Sequence, residues 1–89
     1  MNIPSAIEGK LRELMRVFLS ENANINLSAL RTEETCWVGN IQDSLACLDI
    51  PELYSLLTTH YSLIDIGTGG GFPLLPLAVA CPEVRFTGL

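Results

Sequence analysis

Positive charge is scarce in this chain of 89 residues. It carries 5 lysine and arginine residues against 10 aspartate and glutamate residues, which gives a net charge of −5. A protein that binds nucleic acid by neutralising phosphates needs a basic patch. The basic cluster Lys10, Arg12 and Arg16 is interleaved with Glu8 and Glu13, a pattern typical of the solvated face of a helix. We therefore expect any nucleic-acid surface to lie mostly outside these residues.

Metal ligands and long apolar runs near the N-terminus are also few. The 3 cysteines Cys36, Cys47 and Cys81 are widely spaced, and His60 is the single histidine. Because zinc sites combine closely spaced cysteine and histidine pairs, we predict no metal site and expect reduced, mostly buried thiols in a cytoplasmic protein. Charged residues recur as far as Arg16, so neither a signal peptide nor a membrane span is predicted.

The first part of the chain has the apolar spacing of an amphipathic helix. We predict this helix over residues 5–20, with a capping box formed by Ser5 and Glu8. Its polar face is of mixed sign, which favours packing on the rest of the protein over binding to a membrane surface. The polar, asparagine-rich residues 21–26 predict a loop. The apolar stripe consists of Ile7, Leu11, Leu14, Met15 and Phe18.

Two further helices are predicted before the first strand. Thr32 is a candidate cap for the second helix, which should end before Pro51 because proline disfavours helical backbone in the residue that precedes it. Residues 51–58 predict a short third helix. The stripe of the second helix consists of Trp37, Ile41, Leu45 and Leu48.

A glycine-rich turn follows the helices. Residues 61–66 predict a short buried strand, the apolar run 72–80 predicts a helix, and residues 84–89 predict a second strand. Strand, turn, helix and strand form one βαβ unit, which implies parallel neighbours. The turn contains the alternating glycines Gly67, Gly69 and Gly71.

The spacing of the turn, Asp-x-Gly-x-Gly-x-Gly, indicates a cradle for a ligand. Glycine can adopt positive φ and lets the backbone approach a bound group, while a strand-to-helix turn presents N–H groups. The dinucleotide fingerprint is excluded because position 72 is Phe, and a phosphate loop is excluded because no Gly-Lys-Ser/Thr follows. The pattern resembles motif I of the class I S-adenosylmethionine (SAM) methyltransferases. For the turn taken alone, a tight turn without a ligand is the alternative.

A second resemblance narrows the family. Residues 26–28 with Arg31 and residues 40–45 resemble the Asn-Leu-Thr … Arg … His-x-x-Asp-Ser-Leu segment of the bacterial 16S rRNA guanine-N7 methyltransferases, historically called glucose-inhibited division protein B. Residues 65–77 resemble their Asp-x-Gly-Ser/Thr-Gly-x-Gly-Phe/Leu-Pro-Gly-x-Pro-Leu motif. The resemblance covers roughly residues 24–89.

This resemblance implies an α/β fold. Residues 1–60 would form an N-terminal helical region, and residues 61–89 would begin the Rossmann-like SAM-binding domain with its first βαβ unit. Since a sheet of parallel strands needs both faces covered, and 48% of the residues are hydrophobic, we expect the chain to be the truncated, N-terminal part of a longer protein.

The resemblance also implies site residues. Asp65 would orient the turn or accept a hydrogen bond from SAM, and Phe72 would pack against SAM, with a core position as the alternative. The other cofactor-binding positions would be Gly67, Thr68, Gly69 and Gly71. On the substrate side the resemblance points to Asn26, Arg31, Asp43 and Ser44, whose alternatives are loop hydrogen bonds, a surface charge and a pair on a helix face.

The function implied is methyl transfer from SAM to guanine N7 in 16S rRNA, with the small ribosomal subunit as partner and with neither a metal nor a membrane. No catalytic residue is assigned. We expect the 89 residues alone to bind SAM weakly or not at all. A SAM methyltransferase with another substrate is one alternative, and a nicotinamide-dependent oxidoreductase is a distant one. A truncated, non-catalytic fragment is another, because Asn40 and Leu74 replace the family's usual His and Gly.

Overall fold

The computed structural model describes residues 3–59 and 62–89. The first helix, α1, is followed by a continuous helical segment that comprises α2, a π-helical turn, α3 and a 3-10 turn, and then by α4. The βαβ unit of β1, α5 and β2 completes the described chain. The bounds are α1 Ser5–Ile25, α2 Glu33–Cys36, the π-helical turn Trp37–Gln42, α3 Asp43–Leu45, the 3-10 turn Ala46–Asp49, α4 Pro51–Thr59, β1 Ser62–Asp65, α5 Leu74–Ala80 and β2 Arg85–Gly88.

Helix α1 is longer than its apolar stripe predicts. The predicted loop over residues 21–26 is wrong because the helix continues to Ile25 and ends at Asn26, which caps it in the left-handed conformation at φ 52°. The predicted capping box is also wrong. Pro4 occupies the N-cap position and Ser5 is already helical, so no side chain caps this end.

The second helical segment begins and ends where the sequence predicts. The Thr32 hydroxyl accepts a hydrogen bond from the Thr35 N–H at 3.1 Å, and the Thr35 hydroxyl accepts one from the Thr32 N–H at 3.3 Å. This reciprocal cap starts the segment, and the 3-10 turn ends at Asp49, before Pro51. Within the segment, the hydrogen bonding is π-helical from Trp37 to Gln42, a departure from α-helical bonding that the apolar spacing did not predict.

The predicted βαβ unit is confirmed. β1 and β2 are parallel, with Leu63 paired to Phe86 and Asp65 paired to Gly88. Both strands are shorter than predicted, and α5 follows Pro73 at its N-cap. The predicted start of β1 at residue 61 and the domain boundary between residues 60 and 61 lie outside the described residues, as does His60.

The prediction of a buried first strand is wrong for the described residues. Ile64 is 61% exposed, and Ile66, just beyond the strand, is 83% exposed. Along β1, exposed and half-buried residues alternate, because the described elements cover the side chains on only one of its faces.

The main core lies between α1, the second helical segment and α5. Cys36 is buried in this core, while Cys47 and Cys81 are half-buried. The guanidinium of Arg12 stacks on Trp37 at 3.8 Å from the ring centroid, so one member of the basic cluster packs on an aromatic ring and is not simply solvated. The buried apolar residues are Leu11, Met15, Phe18, Cys36, Trp37, Ile41, Leu45 and Leu77. No helix in the described part of the chain has the length and apolarity needed to cross a membrane.

Candidate cofactor loop and adjoining cavity

The turn between β1 and α5 takes its shape from the glycines that its sequence motif contains. Gly67, Gly69 and Gly71 adopt φ values of 75°, 55° and 100°. Side chains other than hydrogen disfavour this region of backbone space. The alternating glycines are therefore required by the backbone path itself, whether or not a ligand is bound.

The end of β2 holds the beginning of this loop. The N–H groups of Gly67 and Thr68 both donate to the carbonyl of Leu89, at 3.0 and 3.3 Å, and the Leu89 N–H donates to the carbonyl of Asp65 at 3.0 Å. These bonds extend the parallel pairing beyond the strands and fix the point at which the chain leaves the sheet.

The middle of the loop has backbone N–H groups without hydrogen-bond partners among the described residues. The Gly71 N–H donates to the Thr68 carbonyl at 2.9 Å, whereas the N–H groups of Gly69 and Gly70 have no hydrogen-bond partner among the described residues. A Cβ atom placed at Gly67 or at Gly69 would meet nothing within 4 Å. The loop therefore presents two adjacent unpaired donors, with open space at Gly69, and unpaired N–H groups at a strand-to-helix turn are the arrangement that binds anionic groups.

Two polar side-chain atoms at the loop are buried without a partner. Among the described residues, Asp65 Oδ2 and Thr68 Oγ1 make no hydrogen bond although both atoms are shielded from solvent. A buried oxygen without a donor loses the hydrogen bonds that water would give it. Both atoms therefore lack a hydrogen-bond partner that residues 3–59 and 62–89 could supply.

Phe72 packs against the protein. Its ring meets that of Phe18 edge to face, with centroids 4.8 Å apart and an interplanar angle of 80°, a favourable aromatic geometry. Phe72 is half-buried against the main core. Phe72 therefore occupies a core position, the alternative that the sequence analysis gave for it. Its contact with Phe18 holds the end of the loop against α1.

A small cavity of about 230 Å³ separates the second helical segment from the residues that follow the loop. Of the predicted substrate-side residues, it brings together Asp43 and Ser44, and the Ser44 hydroxyl donates to the Asn40 carbonyl. Asn26 and Arg31 are exposed and are not among its lining residues. The lining consists of Gly39, Asn40, Asp43, Ser44, Cys47, Phe72 and Pro73.

A larger, mostly apolar cleft of about 400 Å³ lies between α4, β1 and α5 and shares Cys47 and Pro73 with the small cavity. Asp65 is its charged member, and the exposed Ile64 and Ile66 form part of its wall. The remaining lining residues are Cys47, Leu53, Leu57, Leu63, Pro73, Leu74 and Leu77.

The residue that sequence reasoning missed is Asn22. It is 1% exposed, and its side-chain amide bonds to both backbone polar groups of one residue, accepting from the Ser28 N–H at 2.6 Å and donating to the Ser28 carbonyl at 2.9 Å. The sequence did contain an indication that Asn22 is helical and buried, because it continues the helical spacing of Leu11, Met15 and Phe18 into the predicted loop.

The cysteines lack the features of reactive or metal-bound thiols. Cys36, Cys47 and Cys81 are free of disulfides. Burial raises the pKa of the Cys81 thiol above its ordinary value, which disfavours the nucleophilic thiolate. Among the described residues, no group of histidine, cysteine and carboxylate side chains is arranged to hold a metal ion.

Comparison with known proteins identifies the family. The model of the family described as rRNA small subunit methyltransferase G matches residues 7–89. The chain is 38% identical over 82 residues to the ribosomal RNA small subunit methyltransferase G of Deinococcus radiodurans, covering 92% of this chain and 31% of that protein. It is 43% identical over 72 residues to the protein of the same name from Deinococcus deserti, covering 80% and 28% respectively. The Sorangium cellulosum protein is 33% identical over 87 residues, covering 98% and 35%.

The chain thus spans about a third of the length of these curated relatives. No solved structure matches it. Because the family model covers nearly all of the sequence, from residue 7 to residue 89, this chain belongs to the rRNA small subunit methyltransferase G family.

Proposed function

We propose that this chain carries the cofactor loop of an enzyme that transfers a methyl group from SAM to guanine N7 in 16S rRNA. The observation that carries the proposal is the loop itself. Gly69 and Gly70 present unpaired N–H groups, with open space at Gly69, in a chain that belongs to the rRNA small subunit methyltransferase G family.

The residues present fit SAM. Its amino-acid portion combines a carboxylate with an ammonium group, so one ligand provides both an acceptor for the free N–H groups of Gly69 and Gly70 and a donor for Asp65 Oδ2 and Thr68 Oγ1. Bound SAM would supply an electrophilic methyl group on a sulfonium sulfur. The protein's task at this loop is to fix the orientation of that group. Phe72 supports the loop through its contact with Phe18 and contributes to the shape of the site.

The cavity beside the loop is the proposed place of the guanine base. Asp43 and Ser44 lie in its wall opposite Phe72, within the segment that resembles the family's Asp-Ser-Leu motif. A carboxylate accepts hydrogen bonds from the N1–H and N2–H groups on one edge of guanine, and N7 lies on the opposite edge of the purine. Arg31 and Asn26 are exposed outside this cavity, where a guanidinium and an amide can contact the phosphate backbone.

No general base is required for this transfer. Guanine N7 carries a lone pair and no proton, so it can attack a methyl group directly. The rate then depends on holding nucleophile, methyl carbon and leaving sulfur in line, a task of positioning. The acidic character of these 89 residues, with a net charge of −5, supports the proposal that most phosphate contacts with 16S rRNA lie outside this segment.

A chimeric enzyme tests the proposal. Residues 7–89 replace the matching segment of the Deinococcus radiodurans relative, and the chimera is expressed in cells that lack their own enzyme of this family. We expect N7-methylguanine to reappear in 16S rRNA, as detected by borohydride and aniline cleavage followed by primer extension. NAD should not displace SAM from the purified chimera, which separates this proposal from a nicotinamide-binding site.

Two substitutions serve as controls in the chimera. Gly69→Val forces a β-branched side chain into positive φ in the loop and should abolish methylation. Gly9→Ala, at an exposed position of α1 with open space around it, should leave methylation unchanged. A folded chimera that fails to methylate 16S rRNA, when the relative itself does so in the same cells, would refute the proposal.

A further inference from the structure

We infer that Asn22 is a positioning residue for the glycine loop, although it lies 45 positions before Gly67, the first glycine of that loop. Its buried amide ties down the segment 26–30, and this segment together with Phe18 forms the wall behind Gly70. The placement of the loop follows from contacts in the structure, and only its consequence for SAM binding rests on the proposed function.

The clamp between Asn22 and the segment 26–30 is built from a fully buried side chain. Asn22 is 1% exposed and bonds to both the N–H and the carbonyl of Ser28. The Ser28 hydroxyl in turn accepts a hydrogen bond from the Leu30 N–H at 3.1 Å. The segment has no regular secondary structure, so these side-chain bonds replace the backbone ladder that would otherwise hold it.

The identity of Asn22 is not what core packing alone would select. It lies on the same face of α1 as Leu11, Met15 and Phe18, where an apolar side chain would bury surface without needing partners. An amide at this position is favourable only while both of its polar ends are bonded. The Asn22 side chain therefore fixes the location of the segment 26–30 in addition to filling space in the core.

The clamped segment reaches the glycine loop at Gly70. A Cβ atom at Gly70 would lie 3.2 Å from Phe18 Cε1 and 3.7 Å from Leu27 Cβ, so the backbone of Gly70 is seated against these two side chains. Leu27 directly precedes Ser28, the residue that Asn22 holds. Releasing Ser28 therefore removes half of the wall that supports the two unpaired N–H groups of the loop.

Asn22→Asp and Asn24→Ala form the matched pair that tests this inference. Asn22→Asp keeps the shape of the side chain but removes the donor to the Ser28 carbonyl. Asn24 lies on the exposed side of the same helix, where its side chain makes only a 3.4 Å contact with the Ser20 carbonyl. We expect Asn22→Asp to shift the amide resonances of residues 27–30 and also of residues 69–71 in nitrogen-15 NMR spectra of the 89-residue chain, and Asn24→Ala to leave both groups in place.

A second variant keeps the inference open to refutation if Asn22→Asp does not fold. Leu27→Gly removes the Cβ atom that faces Gly70, from a side chain that is 43% exposed, so the core stays intact while the contribution of Leu27 to the wall is lost. It should shift the amide resonances of residues 69–71 in the same way. If the resonances of residues 69–71 keep their wild-type positions in Leu27→Gly and in any folded Asn22→Asp, the inference is wrong.

SAM binding by the chimera separates this inference from the proposed function. If the chimera binds SAM, Asn22→Asp should weaken that binding at least about tenfold, by the loss of a positioned pair of donors. If Asn22→Asp shifts the amide resonances of residues 69–71 in the 89-residue chain but the chimera never binds SAM, the positioning role is confirmed and the proposed function is refuted. Normal SAM binding by a chimera carrying Asn22→Asp, with unshifted loop resonances, would refute the positioning role alone.

Discussion

The pair Gly88→Ala and Gly9→Ala applies the same chemical change to two different environments. A Cβ atom at Gly88, at the end of β2, would lie 2.8 Å from Thr68 Cγ2 and 2.9 Å from Leu74 Cδ2. Cβ atoms do not approach other carbon atoms so closely, so the side chains of Thr68 and Leu74, or the backbone that carries them, must move. Gly9 lies inside α1, where an added Cβ would meet nothing within 4 Å. The structure therefore predicts opposite effects on the free energy of unfolding.

The magnitudes follow from known contributions. Gly9→Ala should stabilise the chain by about 0.8–1 kcal/mol, since alanine is the better helix former. At Gly88, overpacking costs about 1–3 kcal/mol, and the smaller entropy of the unfolded chain returns only about 0.4–1 kcal/mol. A net loss of about 1–2 kcal/mol should remain. For a domain of this size, each kcal/mol moves the melting temperature by about 4–8 °C.

Thermal unfolding followed by far-ultraviolet circular dichroism measures the difference between the two variants. Urea unfolding followed by the fluorescence of Trp37, the single tryptophan, provides an independent value. The NMR signals of the glycine loop should move in Gly88→Ala and stay in place in Gly9→Ala. If Gly88→Ala proves as stable as Gly9→Ala, β2 does not press against the loop as described, and the reasoning fails.

Three further predictions address the loop and its surroundings. A double-mutant cycle of Phe18→Leu and Phe72→Leu, measured by urea unfolding, should give a coupling free energy of about 0.5–1.5 kcal/mol; additive effects would contradict the edge-to-face contact. Asp65→Asn should not destabilise the chain, because Oδ2 has no partner to lose, yet it should weaken SAM binding to the chimera more than tenfold in calorimetric titration, as the loss of a charged hydrogen bond predicts. Burial raises the pKa of the Cys81 thiol, so its reactive thiolate should form at higher pH than that of an ordinary thiol, whose pKa is about 8.5. The rate of Cys81 alkylation by iodoacetamide, followed by mass spectrometry, should therefore still rise with pH where the rate for an ordinary thiol has reached its plateau. A plateau for Cys81 at about pH 8.5 would contradict the raised pKa.

The parts of the fold that the sequence predicts correctly are those set by local chemistry. Thr32 caps its helix because a hydroxyl three residues before a free N–H can accept from it. The βαβ unit follows from a strand, a glycine turn and an apolar run in succession, and its strands pair in parallel as expected. The positive φ values of the loop fall on the glycines that the motif contains. Each of these features depends on residues only a few positions apart.

The failures have a common physical origin. The end of α1 was misjudged because asparagines disfavour helix interiors in isolation, whereas Asn22 is stabilised there by a bond partner in the following segment. The first strand was predicted to be buried because its residues are mostly apolar, whereas Ile64 is exposed because the described elements cover only one face of β1. In both cases the packing against other elements decides what the local sequence leaves open.

The position of the glycine loop is the clearest example of such control by distant contacts. The glycines permit the conformation, but many other backbone paths are equally open to them. The end of β2 selects the start of the path by accepting from Gly67 and Thr68 through the Leu89 carbonyl. Phe18 and Leu27 select its middle by lying behind Gly70. Because these contacts come from different elements, the loop motif permits the positive φ values, and the packing of α1 and the end of β2 against the loop determines where its backbone N–H groups lie.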